Sequence, residues 1–130
     1  MKPFIDTNIL VYANSNDHRR PRALEILAEG GVVSVQVLNE LTNVLLNKLR
    51  KGWPEIQAAI DDVRTLLDPA LPLSVDTHVS AIGLARDHGL SFYDALIVAS
   101  AHEAGCTVLL TEDMQHGRAI GTLTIRNPFL

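Results

Sequence analysis

Four carboxylates stand where the surrounding sequence is otherwise largely apolar: Asp6 in "FIDTNIL", Glu40 in "VLNEL", Asp94 in "SFYDALIVASA" and Asp113 in "LLTEDMQHG". Carboxylates a few ångströms apart repel one another, raising some of their pKa values and destabilising the fold. A hard divalent cation removes that cost. Mg²⁺ and Mn²⁺ prefer oxygen ligands and keep several waters, which leaves room for phosphate oxygens. A cation-bound water becomes a nucleophile near neutral pH, and two ions about 4 Å apart can stabilise both the attacking and the leaving oxygen of a phosphodiester. If the four acids converge, the chemistry on offer is metal-assisted hydrolysis with one or two Mg²⁺ or Mn²⁺ ions. Zinc fits less well. His18, His78, His88, His102 and His116 show no paired ligand spacing, and His102-Glu103 has no second histidine four residues on.

Each acid also has a purely structural reading. Asp6 can cap the helix that follows it, although Thr7 can do that job and leave Asp6 free. Glu40 falls with Gln36, Asn43 and Asn47 at the border of an apolar stripe made by Val37, Leu38, Leu41, Val44, Leu45 and Leu49. A row of amides around one carboxylate suits the wall of a polar groove, and equally a solvated edge. Ser91 and Asp94 fit the Ser-x-x-acid capping pattern at the mouth of "ALIVASA", a segment apolar or small all round. Capping and ligation are compatible there, because the cap holds the carboxylate rigidly. Asp113, with Glu112 beside it, fits a turn after a strand.

The elements that must position these residues alternate between strand and helix. "FI" at Phe4-Ile5 reads as a buried strand, and a helical segment starts near Thr7. "HRRPRALEILAEGG" is helical and closed by Gly30-Gly31. Val32 to Val35 is β-branched and short, a second strand. "QVLNELTNVLLNKLRKG" and "PEIQAAIDDVRTLL" are helices, with Pro54 suited to a helix start. Leu71 to Val75 reads as a third strand with Pro72 at its edge. "THVSAIGLARDHG" and "SFYDALIVASAHEAG" are helices closed by Gly89 and Gly105. "CTVLLTED" is a strand running into a loop, and "GTLTIRNPF" a last strand. This alternation indicates a layered α/β fold with a mainly parallel sheet, in which ligands gather beyond the carboxyl ends of the strands. Two such ends finish in acid, at Asp6 and at Glu112-Asp113.

Bulk properties bound the rest. The chain has 130 residues, 47% apolar and only 5% aromatic, which fits one domain over 1–130 with an aliphatic core. The single cysteine, Cys106, excludes an internal disulfide and fits a reducing cytoplasm as a buried inert thiol. No run approaches the roughly 18 apolar residues of a membrane span. Asp6 and Asn8 break up what would be the apolar part of a secretory signal. A formal charge of −4 argues weakly against a nucleic-acid partner, an argument that reverses where cations neutralise clustered acids.

"FIDTNIL", "VLNEL", "LSFYDALIVASA" and "LLTEDMQHG" together resemble the successive motifs of PIN-domain nucleases, particularly the VapC-like toxins of prokaryotic toxin–antitoxin pairs. The resemblance runs from Phe4 to the closing "TIRNPF". It implies an α/β/α three-layer sandwich, Mg²⁺- or Mn²⁺-dependent cleavage of RNA, a homodimer and a cognate antitoxin. Position by position, Asp6, Glu40, Asp94 and Asp113 match the family's acidic quartet, with Asp6, Asp94 and Asp113 as metal ligands. Asn8 and Thr111 match polar positions near the metal. One departure is that Met114-Gln115-His116 replaces the Asp and Phe that many members carry there. It leaves open whether Asp113 binds metal directly or through water, and whether Glu112 shares the task.

RNA must also be held. Arg19, Arg20 and Arg22 in "HRRPR", and Lys48, Arg50 and Lys51, are the only basic clusters, readable as phosphate contacts or as solvated helix faces. Trp53 can stack on a base or anchor its helix. Two rival functions stand beside the nuclease. One is an aspartate-nucleophile phosphatase on the same kind of sheet, disfavoured by Asn8 in place of a second acid and by only three lysines. The other is a non-catalytic RNA-binding or regulatory module that keeps the fold without turnover.

Overall fold

The computed structural model describes residues 1–130. In chain order the elements are β1 (Phe4–Ile5), α1 (Thr7–Ala13), α2 (Arg20–Glu29), α3 (Val35–Asn47), α4 (Trp53–Leu66), α5 (Val75–His88), α6 (Phe92–Glu103), β2 (Val108–Leu110), β3 (Ala119–Ile120) and β4 (Leu123–Arg126). The sheet runs β1-β2-β4-β3, parallel from β1 to β4 and antiparallel at its β3 edge. Six helices flank it, giving the expected three-layer α/β/α sandwich. No helix is long and apolar enough to cross a membrane.

Two expected strands shrink to single parallel bridges. Val32 pairs with Phe4, and Ser34 with Leu71. The physical reason is that helix caps claim the residues next door. Ser34 accepts from the Val37 amide and starts α3 at Val35, inside the expected strand. Ser74 does the same for α5 through Thr77, while Pro72 lacks the amide that a longer ladder needs. The last expected strand is joined by β3, a partner the sequence reading did not separate. Gly121, with φ +61°, makes the tight return between them.

These pairings set a switch in direction at β1. Ile5 donates its amide to Val32 on one side, and Asp6 donates to Leu110 on the other. The chain leaves β1 toward Val32 and Leu71, whereas β2 lies on the opposite flank. Crevices at the carboxyl end of such a reversal are where α/β sheets present ligands. Ile5 is in register with Leu110, so Asp6 and Thr111 emerge side by side.

The core is aliphatic, as composition requires. Phe4, Ile5, Ile9, Leu10, Leu41, Leu109, Leu123 and Ile125 are fully enclosed. Helix α6 is buried on every side from Ala95 to Ala101 and packs along α5, which fixes its first turn, including Asp94. Cys106 is buried within the core.

Candidate active site

Asp6 sits at the junction of β1 and α1 and is almost wholly buried, with 4% of its surface exposed. It caps α1 itself: Oδ1 accepts from the Thr7 amide at 2.7 Å. Oδ2 accepts from Thr111 Oγ1 at 2.8 Å, with Asn8 Nδ2 a longer donor at 3.4 Å. The two readings of Asp6 are therefore compatible, one oxygen serving each. All of its partners are neutral. Burial pushes its pKa up to about 6; the Thr111 and Thr7 hydrogen bonds oppose the rise, and the charges of Asp113 and Asp94 add to it.

Asn8 ties the two strand ends together. Its Nδ2 donates to Asp113 Oδ2 at 3.1 Å and Thr111 Oγ1 at 3.2 Å, while its Oδ1 accepts from the Glu112 amide. The Asp113 amide in turn donates to Thr111 Oγ1. Thr111, fully buried, is thus the hub between Asp6 and Asp113.

Glu40 reaches the same place from α3. Long contacts from Thr7 Oγ1 (3.5 Å) and Gln36 Nε2 (3.4 Å) orient it, and Gln36 is the residue one turn earlier on that helix. Burial raises its pKa to about 7, helped by the charges of Asp6 and Asp94. Asp94 arrives on the first turn of α6. Only half of the expected capping box forms: Ser91 Oγ accepts from the Asp94 amide, and the Asp94 carboxylate does not reach back to the Ser91 amide. Burial raises its pKa as well; the Ser91 side chain opposes the rise and the charge of Asp113 adds to it.

The four acids therefore share one electrostatic field. None takes part in an ion pair, although Asp17, Glu25, Asp68, Asp87 and Glu112 all do. The donor set is oxygen only and carries uncompensated negative charge, which fits a hard divalent cation. No three of the side chains close on one point as a ready-made cage.

The other sequence candidates divide. Lys48 lines a groove of about 290 Å³ with Thr7, Asn8, Tyr12, Glu40 and Asp113. The structure does not bring Glu112 to the acids. Its carboxylate receives both contacts from Arg19 Nη1, at 2.7 and 2.9 Å, and one from the Tyr12 hydroxyl. Arg19 also pairs with Asp17 and lies 4.0 Å over the Tyr12 ring, so its guanidinium is fully engaged. Arg20 donates to the Ala13 carbonyl, and Arg22 to the Pro128 carbonyl and to Glu25. Lys51 flanks a separate depression with Arg20, and Arg50 holds a left-handed φ of +53° at the exit of α3. Trp53 is exposed at the start of α4 and lines neither groove beside Glu40. Tyr12, which holds Glu112 away from the acids, was not singled out from the sequence; its hydroxyl partner lies a hundred residues on.

Comparison with known proteins follows the same lines. The family model of the PIN domain matches residues 4–120. Among solved structures, the chain is similar to a toxin–antitoxin complex from Klebsiella pneumoniae, with TM-score 0.75, 21% identity and 98% of each chain covered. It is also similar to VapC20 of Mycobacterium tuberculosis, described as a sarcin–ricin loop cleaving toxin, with TM-score 0.68, 25% identity, and 83% of this chain and 87% of that one covered. A third likeness is to VapBC2 from Rickettsia felis, bound to a DNA fragment from its promoter, with TM-score 0.71, 24% identity and 98% of each chain covered. No curated protein matches at a significant level.

Proposed function

The chain belongs to the PIN-domain family, and from that premise we propose that it is a Mg²⁺- or Mn²⁺-dependent endoribonuclease, the toxin of a prokaryotic toxin–antitoxin pair. The observation that carries this reading is the charge balance at the β1–β2 crevice. Burial raises the pKa values of Asp6, Glu40 and Asp94 there, the charges of Asp6, Asp94 and Asp113 add to it, and no lysine or arginine is paired with any of the four acids. A fold keeps so costly an arrangement where a cation is to be held.

Asp6, Asp94 and Asp113 would hold the ion, Asp6 through the oxygen edge left by its cap. When bound, the cation supplies Lewis-acid polarisation of the phosphate and a water that ionises near neutral pH. Thr111 and Asn8 fix the spacing between Asp6 and Asp113 through the hydrogen bonds described above. Glu40, its carboxyl raised to about 7 chiefly by burial, is suited to take the proton of the attacking water at its Oε2 edge and pass it to solvent. Lys48, which lines the same groove as Asp113, would neutralise an RNA phosphate on the way in. The phosphatase alternative loses ground, since Asn8 donates toward Asp113 and Thr111 and offers no second acid beside Asp6.

The proposed partners are RNA as substrate, a cognate antitoxin and a second copy of the chain, with action in the cytoplasm. The cleavage described for VapC20 supports the RNA substrate, and the complexes described for the other two relatives support the antitoxin. The test is incubation of labelled RNA with the purified chain in Mg²⁺ or Mn²⁺, with EDTA and the Asp6→Asn and Asp94→Asn variants beside it. Cleavage by the wild type alone, abolished by EDTA, is expected. Equal cleavage by both variants refutes the assignment, and metal-dependent RNA binding without cleavage replaces it with a non-catalytic module.

A further inference from the structure

A second groove, of about 460 Å³, adjoins the acids and has no role in the mechanism above. One wall is the α3 face that presents Gln36, Asn39 and Asn43; the other is Tyr93, at the start of α6 and next to Asp94. Glu40 lines both this groove and the one that holds Lys48 and Asp113, so the two meet at the acid cluster.

The lining excludes a phosphate seat, since it contains no lysine, arginine or histidine. What it offers is a flat aromatic face and uncharged amides. Tyr93 is 63% exposed, its ring braced edge-on by Phe92 at 5.8 Å. Gln36 is 8% exposed and directs its Nε2 at Glu40, which leaves its carbonyl oxygen as an acceptor. Asn43 accepts from Asn47 at 2.6 Å, which leaves its own Nδ2 as a donor. Asn39 stands exposed on the same face. A planar ligand with a π-face and an edge of mixed donors and acceptors suits that set, and a nucleobase is such a ligand.

We infer that this groove receives the base of one unpaired nucleotide of the RNA, adjacent to the phosphate at the acids, stacked on Tyr93 with its edge read by the α3 amides. The nucleotide must be unpaired, because a base within an A-form helix has its faces covered and its major-groove edge out of reach. This inference rests on the nuclease reading and adds to it a determinant of where the RNA is cut.

The experiment uses a fluorescent single-stranded RNA dodecamer of mixed sequence, cut in Mn²⁺, and the same RNA with an abasic ribose at each position in turn. In the wild type, an abasic ribose beside the cut is expected to raise KM about 5- to 100-fold with kcat little changed. Tyr93→Ala should show the same loss on intact RNA and no further loss on the abasic RNA. Tyr93→Trp should restore KM, and Asn39→Ala/Asn43→Ala should broaden the choice of cut site. Melting temperatures of these surface variants serve as the folding control. If Tyr93→Ala cuts intact RNA with the wild-type KM, or if its penalty multiplies with the abasic one, the groove is not a base site, while cleavage by the wild type leaves the nuclease reading standing. A wild type that cuts no RNA, total RNA included, overturns both.

Discussion

Replacing Asp6 by Asn should stabilise the metal-free protein, an unusual outcome for a buried polar residue. The folded chain holds the Asp6 carboxyl at about 6, against the ordinary 3.8. At about 1.4 kcal/mol per tenfold change, ionising it inside the fold costs roughly 3 kcal/mol once the pH stands well above 6. The sign follows from linkage: the folded state binds this proton more tightly than the unfolded chain does. The contribution is therefore fully present below about pH 4 and is lost as pH rises through about 6. An amide removes the charge and keeps the acceptor for the Thr7 amide, but it leaves the Thr111 hydroxyl facing a donor, a loss of about 1 kcal/mol. The net gain at pH 8 is about 2 kcal/mol, or about 5–10 °C in Tm for a chain of this size. Thermal melts followed by circular dichroism in EDTA, from pH 5 to pH 8, measure it: the advantage should shrink toward zero at pH 5. Millimolar Mn²⁺ should raise the wild-type Tm at pH 8 and leave the variant's largely unmoved. A variant less stable than the wild type by the same margin at every pH would show that Asp6 is only a cap, and the charge argument would fail.

Thr111→Val removes the hydroxyl that donates to Asp6 and accepts from Asn8 and the Asp113 amide. It should cost about 1–3 kcal/mol in urea melts and push the Asp6 pKa higher still, moving the acid limb of the pH–rate profile upward. Cation affinity should fall with acidity, because a proton on Asp6 (about 6) competes with the ion and one on Glu40 (about 7) removes a negative charge beside it. Calorimetric titration with Mn²⁺ should give a Kd roughly 10- to 100-fold weaker at pH 5.5 than at pH 7.5; a pH-independent Kd would remove these two acids from the site. Gly31 lies against β1, where an added Cβ would meet Ile5 Cδ1 at 2.5 Å and the Pro3 carbonyl at 3.0 Å. Gly31→Ala should therefore cost about 1–3 kcal/mol by overpacking, and should slow RNA cleavage by displacing the strand that carries Asp6; unchanged melts and rates would show that β1 yields without consequence.

Much of this molecule was legible from residue types and local spacing. The apolar segment after Asp94 could only be a buried helix, and Ser91 announced where it begins, because an unpaired helix amide needs a cap wherever the chain goes. Strand ends finishing in acid are enough to put Asp6 and Asp113 at one edge of a parallel sheet. The shortened strands at Val32 and Leu71 were not legible, because a β-branched run and a serine cap compete for the same residues and packing settles the boundary. Nor was the fate of two consecutive acids. Glu112 turns to Arg19 and Tyr12 while Asp113 turns to Asn8, and all three partners lie about a hundred residues upstream. Local sequence thus determined which groups were available and which elements carry them, since helix capping, turn formation and apolar periodicity act over a few residues. Which carboxylates stand uncompensated together was decided only by the tertiary structure, because charge neutralisation acts through space, between side chains that the chain order keeps far apart.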